Sequence, residues 1–338
     1  MDEWLIGLIS GTKRYAMPIV TSPGISLIGA PPADVFRSGE LQYQAIRRLA
    51  EKIPDAAAAL TMMDLSVEAE AFGAPVKFGE LENPTISDSI VHDRREIEQL
   101  GIPETGAART GEAILAAKRC AENIDDRPTL GGLIGPFSLA GQLLDMNRMM
   151  LLTAMEPETI HALLEKVTQF LIEYAKAFKE VGCNGLVMAE PVAGLVSPKM
   201  CRMFSSDYIK KIVDAVRDES FVFVLHNCGK TDKMVEEMLL TGCSALHVGN
   251  SVDIRKILEQ VPTSVPVMGN LDPSGVFLMG TPESVFRATM KLLEATRDAS
   301  NFVLSSGCDI PPGTPLENVT ACFEALKAFN SADKSTIV

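Results

Sequence analysis

The stretch FVFVLHNCG, residues 221–229, is a short run of aromatic and β-branched residues that stops abruptly at histidine, asparagine, cysteine and glycine. A run this short and this rich in strand formers reads as a buried strand rather than a helix. Working outward, the same unit recurs at Met17–Ser22, Leu60–Leu65, Leu130–Gly135 and Gly185–Glu190 on one side. On the other side it recurs at Ala245–Val248, Pro266–Asn270 and Phe302–Ser306. Each run ends in turn-forming residues, and longer stretches with helical periodicity lie between, such as Glu156–Val181, Pro198–Arg217, Asp232–Thr241, Pro282–Arg297 and Leu316–Phe329. Pro157, Pro198 and Pro282 stand where a first helical turn tolerates proline. Eight strands alternating with helices predict an α/β fold, a closed (β/α)8 TIM barrel spanning residues 1–338 as a single domain. The segment Phe72–Leu100 fits the repeat poorly and is expected to be an N-terminal excursion, with a small hairpin, covering the barrel mouth.

The bulk properties exclude several classes of function. With 46% hydrophobic and 22% charged residues the chain is globular, and its 338 residues bury a core without help from disulfides. The net charge of −13 is dispersed, and no Lys/Arg cluster of the kind nucleic acid requires is present. No apolar run reaches the ~18–20 residues that span a bilayer. The N-terminus places acids before its short apolar stretch and basic residues after it, the reverse of a secretory signal. A cytoplasmic location follows as the expectation, and the seven cysteines then speak for thiols, metal ligation or simple burial.

In such barrels chemistry gathers at the C-terminal strand ends. Those ends read MDLSVEAE, GPFS, AEPV, HNCG, HVGNSVD, GNLDPSG and SSGCD, and hold nearly all the distinctive polar and sulfur residues. His226 and Cys228 are two apart at a strand end, so both side chains point the same way. Cys308 ends the last strand and approaches them as a barrel closes. One imidazole and two thiolates suit zinc and leave a fourth position for water or substrate. The alternative reading is burial of two small apolar thiols beside a satisfied histidine. Cys120, Cys201 and Cys322 fall in helical patterns, Cys183 and Cys243 precede strands, and His247 sits inside one, so none is a favoured ligand.

The segments PFSLAG, HNCG, GNLDPSGVFLMGTPESV and SSGCDIPPGTPLENV resemble the uroporphyrinogen decarboxylase superfamily over nearly the whole chain. Within it, H-x-C-G, the G-C-x-I-x-P-type segment and MDLSVEAEAFGAPV resemble the corrinoid:coenzyme M methyltransferase branch. That resemblance implies a (β/α)8 barrel, zinc on His226, Cys228 and Cys308, and methyl transfer from a methyl-corrinoid to a thiol. No D-x-H-x-x-G motif is present, so methylcobalamin is expected on a partner corrinoid protein, docking near Phe72–Leu100 and Phe137–Arg148. The decarboxylase is the competing reading within the superfamily, since Asp64 matches its functional aspartate and GNLDP is shared. Its arginine-rich grip on the porphyrinogen carboxylates is missing, however: this chain reads AMPIVTSPGI there. A non-catalytic zinc-binding member is the third reading.

Glu190, ending NGLVMAE, is the candidate fourth zinc ligand in the resting enzyme, with a helix- or loop-capping carboxylate as the alternative. Asp64, Asn250 and Asp272 are candidates for orienting ligands or contacting cofactor and substrate, Asp272 with a turn or cap role as its alternative. Coenzyme M, tetrahydrofolate and other acceptors all remain open. A sulfonate-bearing acceptor would need donors such as Ser22, Asn227, Asn250 or Lys230.

Overall fold

The computed structural model describes residues 1–80 and 82–334. Its nine strands are β1 (Ala59–Leu60), β2 (Val76–Lys77), β3 (Thr85–Ile86), β4 (Thr129–Ile134), β5 (Gly185–Ala189), β6 (Val222–Asn227), β7 (Ala245–Val248), β8 (Val267–Leu271) and β9 (Phe302–Ser306). Seven of them form one parallel sheet in the order β1-β4-β5-β6-β7-β8-β9. The eighth barrel position corrects the expectation of a strand at Met17–Ser22. There, Ala16 alone makes parallel bridges, to Ala56 on one side and Leu304 on the other, and so closes the ring. Pro18 has no N–H to donate, and the next amide, of Ile19, goes to the Ser306 hydroxyl at 3.0 Å, so no ladder propagates.

Strand alternation sorts side chains into two cores. Val187, Val222, Val224, Ala245, Met268 and Val303 fill the barrel interior, joined by Leu5 and Leu8 of the helix Asp2–Ile9. Leu186, Met188, Phe223, Leu225, Leu246 and Leu304 point outward and belong to the larger core shared with the helices. The helices Pro157–Glu180 and Pro282–Ala295 begin on their prolines as expected, and Thr281 and Ser284 form a reciprocal cap for the second. The expected helix at Pro198–Arg217 runs as Pro198–Cys201, a π-turn at Arg202–Ser206 and Asp207–Val216. No helix among the described residues is long and apolar enough to cross a membrane.

The excursion after β1 folds as expected into a hairpin, β2 pairing antiparallel with β3. Its Asn83, Pro84, Thr85 and Ile86 lie over the C-terminal strand ends and form one wall of a cavity there.

Candidate metal centre

The inward parity of Val222 and Val224 continues through His226 to Cys228, which sets both side chains over the barrel axis. In the ladder His226 sits beside His247 of β7, whose parity follows the inward Ala245. Ser305 of β9 has the parity of inward Val303. Three strands thus deliver His226, His247 and Ser305 to one interior layer, and Cys308 comes in just beyond β9. The donor atoms of His226, Cys228 and Cys308 all lie within 4.8 Å of one another. Among the described residues no other group of three His, Cys, Asp or Glu comes together as closely.

The protonation of this site follows from its hydrogen bonds. Ser305 has one hydroxyl proton, and it goes to the Met17 carbonyl at 2.7 Å. Its oxygen therefore accepts from Nε2–H of His247, 2.8 Å away. Complete burial, reinforced by the neighbouring His226, holds the pKa of His247 well below its usual value, so that ring is neutral and carries its single proton on Nε2. Nδ1 of His247 then accepts from Nδ1–H of His226 at 2.8 Å. This leaves Nε2 of His226 on the side of the two thiols, buried and without a hydrogen-bond partner. The hydrogen bond from Cys308 pulls the Cys228 thiol well below its usual value, while the same contact pushes Cys308 up. Two sulfurs sharing a proton, beside a bare buried imidazole nitrogen, are a donor set that fits zinc, whose binding releases that proton. Cys183 and Cys201, by contrast, are pushed up to about 12 and about 11 by burial and stay protonated.

Above the three donors lies a cavity of about 460 Å³. Ile19, Met63, Leu65, Ile86 and Pro191 make it largely apolar, with the amides of Asn83 and Gln142 and the carboxyl of Asp309 as its polar features. Asp309 accepts from the Thr21 amide at 3.3 Å, the Thr21 hydroxyl at 3.1 Å and the Ser22 hydroxyl at 3.3 Å, and burial pushes it up to about 7.

The other sequence candidates lie around this centre rather than in it. Glu190 does not join the three donors. Its carboxylate accepts from the amides of Phe137 at 2.9 Å and Ser138 at 2.7 Å, and from the Ser138 hydroxyl, at the start of helix Pro136–Leu144. These are the contacts of the capping alternative, and burial holds its pKa up at about 7. Asp272 caps the turn Pro273–Leu278 through the amides of Ser274 and Gly275, at 3.0 and 2.9 Å. Asn250 is exposed and packs against Gly307, where a side chain would come within 2.6 Å of its amide. Asp64 is buried in an ion pair with Arg109.

Arg109 was not singled out by any motif, yet it organises the strand end after β1. It contacts Asp64, Glu70 at 2.5 Å, and the Ser66 hydroxyl at 2.8 Å. Glu68 lies in the same buried cluster, accepting from the Ile134 amide at 3.0 Å while its second oxygen has no partner. Burial raises its pKa from 4.5 to about 7. An acid whose folded pKa lies above its unfolded value stabilises the fold fully below the lower pKa and loses that contribution as pH rises through the higher one. Glu68→Gln should therefore gain stability over wild type by about 3 kcal/mol between about pH 4.5 and pH 8, read from paired urea melts. A difference that does not move with pH would mean that Glu68 is ionised in the fold.

A sequence profile described as Uroporphyrinogen decarboxylase (URO-D) matches residues 37–329. A methylcobamide:CoM methyltransferase, MtbA, of Methanosarcina acetivorans is 32% identical over 270 residues, covering 79% of this chain and 78% of the relative. A uroporphyrinogen decarboxylase of Coxiella burnetii is 28% identical over 293 residues, covering 83% and 79%. A solved methyltransferase from Methanosarcina mazei superposes with a TM-score of 0.87 at 25% identity, over 96% of each chain.

Proposed function

The chain belongs to the uroporphyrinogen decarboxylase family, and from that premise we propose that it is a zinc-dependent methyltransferase moving a methyl group from a protein-bound methyl-corrinoid to a thiol. The observation that carries this reading is the bare, buried Nε2 of His226 beside the thiols of Cys228 and Cys308, at the floor of a mostly apolar cavity. The relatives named for methyl transfer between a corrinoid and coenzyme M support it. The decarboxylase reading finds less support: among the described residues no Lys or Arg lines the cavity to meet a porphyrinogen's many carboxylates.

Zinc bound here would lower the pKa of an acceptor thiol and hold it as the thiolate nucleophile. The chain's own residues set the conditions for that chemistry. Two cysteine thiolates balance the charge of a divalent ion, so an acceptor thiolate keeps the electron density it needs for attack. His247 and Ser305 fix the tautomer and tilt of His226. The apolar walls keep water from the reacting atoms. The acceptor sulfur attacks the methyl carbon, and the S–C bond forms as the cobalt–carbon bond breaks with both electrons left on the corrinoid. A partner corrinoid protein would present that methyl group at the mouth, beside the β2–β3 hairpin.

Metal analysis together with methylcobalamin turnover tests the reading. Expected are about one zinc per chain and loss of methylcobalamin that requires both zinc and added thiol. Zinc-loaded protein that leaves methylcobalamin intact with every thiol offered would refute it. The relay makes its own demand. His247→Phe fills the same space but cannot accept from Nδ1–H of His226, and zinc affinity should fall about 10–100-fold in a chelator competition. Unchanged affinity would show that the relay does not prepare the donor.

A further inference from the structure

Building on the thiol-acceptor reading, we infer that the acceptor taken by this cavity is a thiol that carries no anionic group. The inference comes from the charges that surround the space above His226, Cys228 and Cys308. Among the described residues that line it there is no Lys or Arg, and its one ionisable group besides the three donors is the acid Asp309. A sulfonate or carboxylate tail would leave water for walls made by Ile19, Met63, Leu65 and Ile86 with no cation to meet it, and a buried unpaired charge is strongly disfavoured.

Barrel enzymes also bind anions at helix N-termini around the mouth, and here the chain's own acids occupy three of those positions. Glu190 caps the helix after β4, Asp253 caps Ile254–Leu258 after β7, and Asp272 caps the turn after β8. The amides of Gln142 and Asn83 line the cavity as neutral donors that carry no balancing charge, and two further neutral donors nearby are engaged elsewhere. Asn227 donates to the Glu190 carbonyl at 2.6 Å and accepts from the Gly229 amide at 2.8 Å, and the Ser22 hydroxyl lies between Asp309 and Asn83. Lys230 and Asn250 are exposed and do not line the cavity. An acceptor thiolate added to an ion held by two thiolates already leaves one net negative charge at the cavity floor. A second negative charge on the same molecule would face that one across largely apolar walls.

Isothermal titration of the zinc-loaded protein with 1-propanethiol and with 2-mercaptoethanesulfonate tests this, since the two differ only in exchanging a methyl group for the sulfonate. The neutral thiol should bind at least about tenfold more tightly. Ile86→Arg, which brings a guanidinium to the hairpin wall, should shift the preference toward the sulfonate by about tenfold relative to propanethiol. Equal or tighter binding of the sulfonate by wild type overturns the inference and leaves the methyltransferase reading standing. Zinc-loaded protein that binds neither thiol overturns the thiol-acceptor reading itself, and the inference falls with it.

Discussion

Replacing Cys308 by alanine should take bound zinc from about one ion per chain to under about a tenth, and thiol-dependent methylcobalamin turnover should fall at least ~100-fold. The expected loss is large because, on the proposed zinc reading, Cys308 would contribute both a donor atom and half of the negative charge that balances the ion. His226 and Cys228 alone would leave a site with two protein donors and an uncompensated positive charge. Cys322→Ala is the matched control. Its thiol is buried in the helix Leu316–Lys334 and pushed up to about 12 by burial, so the substitution should weaken packing while leaving zinc and turnover intact. Metal analysis after gel filtration through a chelator reads the result. Stoichiometric zinc retained by Cys308→Ala would remove this cysteine from the donor set.

Arg109→Met should cost about 3–5 kcal/mol of stability, the largest effect expected of any single substitution outside the metal centre. Arg109 is 7% exposed, and its guanidinium is shared by Asp64, Glu70 and Ser66 within one buried cluster. Methionine keeps much of the volume but leaves the Asp64 carboxyl buried without its cation, beside Glu68. Asp64→Asn combined with Arg109→Met should recover part of the loss, because the stranded charge is then gone. Urea melts of the single and double variants at one pH measure both. A loss below about 1 kcal/mol for Arg109→Met would place this pair with weak surface ion pairs instead.

Much of this architecture is legible along the chain because it is local. The runs at Gly185–Glu190, Phe221–His226 and Phe302–Ser306 lie within a residue or two of β5, β6 and β9, since strand composition and terminal turn residues are read from neighbours. The H-x-C pair is legible for the same reason, both residues sharing one strand's parity. Met17–Ser22 misleads because its apolar pattern is genuine, but Pro18 lacks the donor a ladder needs, so the barrel closes there by a bridge at Ala16. Glu190 reads as a strand-end acid, and its engagement by Phe137 and Ser138 depends on a helix that begins more than fifty residues earlier. Asp64 matches a motif position, and the partner that defines its state, Arg109, lies 45 residues on in a segment with no motif.

Strand alternation and residue chemistry act over a few positions, so the barrel, the hairpin over its mouth and the candidate donors His226, Cys228 and Cys308 are readable along the chain. Only the tertiary structure decided how those donors are prepared. His247 reads as one more strand residue until β6, β7 and β9 take their places around the ring, with β8 between the last two. Their shared register then sets His226, His247 and Ser305 in one layer, where a single hydroxyl proton passed to Met17 dictates which nitrogen of His226 faces the thiols. The charge character of the cavity likewise arises only on closure, when residues from separate strand ends and the β2–β3 hairpin enclose one space and, among the described residues, bring an acid but no Lys or Arg to its walls.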